Sequence, residues 1–85
     1  MTTSTIEQYV DLKNGWLRMF GQEWNLQNAN DRQRIAQSLD SDLSPENLTC
    51  DGELRGAEVK KRYNFLTKAA QELKAIDPSV KIYEF

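Results

Sequence analysis

The sequence predicts an all-α fold: a small three-helix domain with an additional short helical turn and an extended C-terminal tail. Three observations predict it. Apolar residues recur at helical spacing in three separate stretches, and Ser, Asn and Pro stand where helix starts need caps. Only the closing VKIYEF, residues 80–85, changes to a period of two.

The first helix is expected over about residues 5–25. Ser4 with Glu7 three residues later has the spacing of a capping box, and Ile6, Tyr9, Val10, Leu17, Phe20 and Trp24 follow at helical intervals. Within it, Trp16, Phe20 and Trp24 stand four apart, on one stripe. Asn14-Gly15 is the weak point, because a mid-helix glycine costs about 1 kcal/mol relative to alanine, and it is where a kink or break would fall.

Asn28 and Asn30 both suit the cap of a second helix over about 30–39, which would bury Ile35, Ala36 and Leu39. Ser44-Pro45 then reads as a cap and a first-turn proline, so SPENL forms one helical turn inside a long connection. Leu43 and Leu48 would pin that connection to the core. The third helix starts between Asp51 and Gly56 and runs to about Ile76, where Asp77-Pro78 stops it. Its Val59, Tyr63, Leu66, Ala70 and Leu73 make the seam of a helix packed lengthwise against another, and Phe65, Ala69 and Ile76 widen it. Glu58 with Arg62, and Lys68 with Glu72, have the spacing of helical ion pairs. Residues 1–78 are thus read as one helical domain and 79–85 as a docking tail. Nothing else in the chain reads as a strand for the tail to pair with.

At 85 residues the chain is one domain with a modest core. Its 39% hydrophobic and 28% charged residues are those of a globular protein. No apolar run suits a membrane span, and no secretory signal pattern is visible, which predicts a cytoplasmic location. The single cysteine, Cys50, fits a reducing compartment. Histidine is absent, which removes the usual general base, the usual zinc ligand and the centre of most nucleophilic triads.

Charge is unevenly spread. Residues 1–30 hold two basic and three acidic groups, residues 31–54 two and six, and residues 55–85 seven and four. An acidic middle therefore precedes a basic last third.

Four constellations bear on chemistry. Asp40, Asp42, Ser44, Glu46 and Asp51 fall at calcium-loop intervals, but Pro45 occupies the position where such a loop turns on glycine, and an aspartate stands where it needs a bidentate glutamate. A solvated acidic loop is the better reading. Asp51, Glu53 and Glu58 are expected at a helix start from the macrodipole alone. Cys50 has no neighbouring base to activate it. The run Lys60-Lys61-Arg62 with Arg55 is the best nucleic-acid hint, yet three successive helical residues point three ways around the axis.

No enzyme, cofactor or metal is expected on these grounds. The chain is read as a small non-enzymatic protein–protein interaction module, an adaptor, inhibitor or structural subunit of the kind phages and mobile elements encode. Its partner would be another protein or a second copy of itself. The surplus of aromatic residues carries this reading, since Trp and Tyr dominate interface hot spots. Expected contact residues are Trp16, Met19, Tyr63, Val80, Ile82, Tyr83 and Phe85, and the alternative is a nucleic-acid interface at Arg55, Lys60, Lys61 and Arg62.

Overall fold

The computed structural model describes residues 3–49, 52 and 55–82. It is an all-α domain of helices α1 (Thr5–Leu17), α2 (Ala29–Asp42), α3 (Pro45–Leu48) and α4 (Ala57–Ile76), with a 3-10 turn at Arg18–Phe20 after α1. None of these helices is long and apolar enough to cross a membrane.

Helix α1 starts as its sequence requires: the Glu7 N–H donates to Ser4 Oγ at 3.3 Å, and the Ser4 hydroxyl donates back to the Glu7 carboxylate at 2.8 Å. It passes through Gly15 without a break and ends eight residues before the expected limit. The cause is Gly21, which takes a left-handed φ of 72°. The Gly21 N–H donates to the Arg18 carbonyl and the Gln22 N–H to the Leu17 carbonyl, each at 3.1 Å, the bond pair of a Schellman stop. The aromatic stripe is broken there. Trp24 leaves the helix and folds back against the core, while Phe20 stays outside it.

Asn28 caps α2 by accepting the Asp31 N–H at 3.1 Å, so this helix starts two residues earlier than the Asn30 alternative and continues to Asp42. Pro45 occupies the first turn of α3 as expected, although Ser44 makes no side-chain capping bond. Helix α4 stops before Pro78, with the Asp77 N–H closing on the Leu73 carbonyl.

Helices α1 and α4 pack against each other in opposite directions: the Ile6 N–H donates to the Glu72 carboxylate at 2.9 Å, while Tyr9, Leu12 and Lys13 face Arg62, Phe65 and Leu66. The expected helical ion pairs are replaced by tertiary bonds, since Arg62 donates to the Asn47 carbonyl and Glu72 takes the Ile6 N–H. Ile6, Tyr9 and Val10 meet Ile35, Ala36 and Leu39 of α2 and Leu66, Ala69, Ala70 and Leu73 of α4 in one core. The two alanines keep that α4 face low, which suits a close helix crossing. Of the expected α4 seam, Tyr63 is 37% and Ile76 52% exposed. Those two flank the core instead of filling it.

The described part of the tail belongs to the same core. Val80 is 3% exposed and Ile82 8%, both packed with the helices of their own chain. Arg32 holds the segment in place, its Nε donating to Asp77 Oδ2 at 2.7 Å and its Nη1 to the Leu26 carbonyl at 2.9 Å. Val80 and Ile82 therefore act as a clasp, and their assignment as partner-binding residues is corrected. Tyr83 and Phe85 lie outside the described residues, as do Cys50, Asp51 and Glu53.

Candidate protein-binding surface

The most chemically crowded spot joins α1 to α2. The Tyr9 hydroxyl lies 2.6 Å from Asp42 Oδ2 and 2.6 Å from Ser38 Oγ, and Lys13 Nζ sits 3.0 Å from the same Asp42 oxygen. A carboxylate can only accept, so the single Tyr9 proton goes to Asp42 and the Ser38 hydroxyl donates to Tyr9. Burial first, and the bond to Asp42 second, hold the Tyr9 hydroxyl well above the ordinary tyrosine value. A phenol held in its neutral form is a structural donor, the opposite of an activated base. This cluster fastens two helices and is not arranged for proton abstraction.

A groove of about 740 Å³ runs along the other side of α1, between that helix, the returning loop and the end of α4. Its polar walls are largely occupied. Arg18 pairs with Glu23, Arg32 with Asp77, and the Asn14 side chain with the Trp24 backbone. No group of three or more acidic or cysteine side chains that could hold a metal ion occurs among the described residues. In particular, Asp42 of the calcium-like spacing is committed to Tyr9 and Lys13.

What remains is a continuous apolar stripe on the outward side of α1 and the turn after it. Leu12 is 69% exposed, Trp16 61%, Met19 75% and Phe20 61%. Leu12, Trp16 and Phe20 follow one another at steps of four, and Met19 lies three residues after Trp16, so Met19 and Phe20 stand on either side of the line through Leu12 and Trp16. Trp16 and Phe20 are in ring contact, with centroids 4.9 Å apart and planes tilted by 56°. Leu12 extends the stripe to the shallow groove it shares with Phe65 of α4.

The Schellman stop creates this stripe. Ending the helix at Leu17 leaves Phe20 in the 3-10 turn, and Trp24, which would have extended the stripe in a longer helix, is held through its backbone to Asn14 instead. Trp16 and Met19 thus stand together among the predicted contact residues, joined by two that sequence reasoning missed. Phe20 shares the helical spacing of the core residues Ile6, Tyr9, Val10 and Leu17 and is nonetheless exposed, and Leu12 lies outside that spacing. The signal was present, because Leu12, Trp16 and Met19 follow the i, i+4, i+7 pattern of a second apolar face. Tyr63 stands apart on α4 and does not line the groove beside Leu12.

Arg55, Lys60, Lys61 and Arg62 are all exposed. They do not form one face. Arg62 reaches across to the Asn47 carbonyl at 3.3 Å, and Lys60 and Lys61 leave the helix at successive steps of about 100°. No family model, curated protein or solved structure matches the chain.

Proposed function

We propose that the chain is a small non-enzymatic protein–protein interaction module that engages its partner through Leu12, Trp16, Met19 and Phe20. One observation carries the reading: four large apolar side chains, each more than three-fifths exposed, project from α1 and the turn after it, with Trp16 and Phe20 in ring contact. Scattered exposed apolar residues need no explanation, but a contiguous aromatic stripe marks an interaction site. Tryptophan at its middle is the residue type that most often anchors such contacts.

The Tyr9, Asp42 and Lys13 cluster supports the same reading from the other side, because its polar atoms are spent on structure. An adaptor, an inhibitor or a structural subunit would each use a surface of this kind.

The test compares the chain with its Trp16→Ser/Phe20→Ser variant as bait, tagged at the N-terminus, in nuclease-treated extract. Both side chains are largely exposed, so the thermal midpoint should stay within the small range typical of surface substitutions, about 0.5 kcal/mol. The expected result is a near-stoichiometric protein captured by the native stripe and lost from the variant. Identical capture by both would overturn the reading. Capture that vanishes with nuclease or moderate salt would move attention to the basic residues of α4.

A further inference from the structure

We infer that Asn14-Gly15 is a self-modification site held shut by the fold: on unfolding, Asn14 deamidates, and the product can no longer make the bonds that hold the returning loop to α1.

The chemistry needs only the chain and water. The Gly15 amide nitrogen attacks Asn14 Cγ, the new N–Cγ bond closes a cyclic imide, and Nδ2 leaves as ammonia with the proton that Gly15 gives up. Water then opens the ring at either carbonyl. One opening yields an aspartate, and the other an isoaspartate, in which the main chain runs through Cγ. Glycine is the following residue that favours this step, because it has no side chain to crowd the attacking nitrogen and the most backbone freedom once unfolded. Asn14-Gly15 is the one such pair in the sequence, since the other asparagines precede Leu26, Ala29, Asp31, Leu48 and Phe65.

Three features of the folded chain oppose ring closure. The Asn14 carboxamide is fixed at both ends, Nδ2 donating to the Trp24 carbonyl at 2.9 Å and Oδ1 accepting the Trp24 N–H at 2.7 Å. Both residues of the pair lie inside α1, so attack requires the Asn14 ψ to leave the helical well. Finally, Asn14 is 4% exposed, which keeps water and base from the reacting atoms. Packing gives no reason for the glycine. A Cβ at position 15 would meet nothing within 4 Å, so the reactive pair stands where this fold would accept alanine.

Conversion removes what protects the site. A carboxylate only accepts, so the Trp24 carbonyl would lose its donor and face a negative oxygen. An ionised group would also occupy a buried position that now holds a neutral amide. Isoaspartate adds a carbon to the main chain in the last turn of α1 and shifts the helical register of Trp16 and Leu17. Helix ends open first, and the clamp to Trp24 is what opposes that opening here. Deamidation in one unfolding event therefore favours the next.

The test incubates the full chain in mildly alkaline buffer, either folded or in urea above its unfolding midpoint. Peptide mass spectrometry follows the exchange of NH2 for OH at Asn14. Asp51-Gly52 can form the same ring without a change of mass and so does not enter this readout. The folded chain should react at least about 100-fold more slowly than the unfolded one, since a stable domain is open for only a small fraction of the time. Gly15→Ala, whose methyl group crowds the attacking nitrogen, should lose most of the reaction in urea. Returned to native buffer, the deamidated chain should unfold at a lower urea concentration than before treatment. Gly15→Ala carried through the same treatment should keep its midpoint, which separates this lesion from any other. A smaller protection, a reaction in urea that Gly15→Ala leaves unchanged, or a deamidated chain with its original midpoint would each overturn the inference.

Discussion

Asn14 and Trp24, ten residues apart, are joined by two hydrogen bonds: the Asn14 side-chain amide donates to the Trp24 carbonyl at 2.9 Å and accepts the Trp24 N–H at 2.7 Å. Asn14 is 4% exposed, the one buried polar residue among those described, and both ends of its amide are satisfied. The chain needs this clamp because α1 and α2 both run against α4, so the loop between them must travel back along α1. Removing the amide strands two Trp24 backbone groups where water has little access.

Asn14→Ala should therefore lower stability by about 2 kcal/mol, the usual cost of leaving partly buried polar groups without partners. In a Trp16→Phe background, Trp24 is the sole tryptophan. Its emission should shift to the red on Asn14→Ala as the loop loosens. Urea denaturation followed by that emission measures both effects, and an unchanged midpoint with unchanged emission would show that the clamp is incidental.

Tyr9 should contribute to the alkaline limit of the fold. Its folded-state pKa is raised, so the folded form keeps the phenol proton after the unfolded chain has lost it. The stabilisation is complete below the ordinary tyrosine value near 10 and is lost as pH rises above it, by about 1.4 kcal/mol per pH unit. Tyr9→Phe should cost about 1 to 2 kcal/mol at neutral pH and remove this part of the alkaline slope. Tyr63, Tyr83 and the lysines remain in both chains, so the difference between the two stability profiles isolates Tyr9. Parallel profiles above pH 10 would count against the assignment.

Much of this fold was legible in the chain because several signals are local. Ser4 with Glu7, the first-turn Pro45 and the Asp77-Pro78 stop act through their own backbone, and each works where it stands. Gly21 was not legible as a helix end, because Phe20 and Trp24 continue the four-residue spacing and a glycine inside a periodic run also fits a kink. Tertiary contact decided it: Trp24 is better placed on Asn14 and the core than on a lengthened α1. The tail raised a different difficulty. Val80 and Ile82 have the same apolar character whether they dock on their own chain or on another, and only the core's open flank between α2 and α4 selects the first. The stripe was half legible: Trp16 and Met19 were visible as a surplus, but Phe20 cannot be told from a core residue until α1 is known to stop at Leu17.

The clasp should be required for stability and dispensable for the stripe. Ile82→Ala removes a side chain 8% exposed in the main core and should cost about 2 kcal/mol, the low end for such truncations because the chain end can adjust. Its anchor Asp77 is held below the usual carboxylate value, by the Ser79 hydroxyl first and then by Arg32. A lowered folded-state value means stabilisation that is present above the ordinary carboxylate value near 4 and lost as pH falls below it through the lowered value. Asp77→Asn should therefore flatten the acid side of the thermal-midpoint profile, and hydrogen exchange at Val80 should quicken. A variant with the native acid profile would indicate that other carboxylates set the acid limit.

Two glycines six residues apart should respond to alanine in opposite directions. Gly15 lies inside α1 in helical conformation, and a Cβ added there would meet nothing within 4 Å. Alanine would lose less conformational entropy on folding and should stabilise the chain by roughly 0.5 to 1 kcal/mol. Gly21 also has open space around it, so sterics with neighbours cannot distinguish the two sites. Its φ of 72° does, because an L side chain is strained in the left-handed region. Gly21→Ala should cost roughly 1 kcal/mol, and Gly21→Asn less, since asparagine tolerates that region better. Urea midpoints in the Trp16→Ser background, where the apolar stripe is disrupted, compare the three variants free of any self-association. Gly21→Ala matching Gly15→Ala would mean that α1 can extend past Leu17 at little cost, and the exposure of Phe20 would then lose its structural cause.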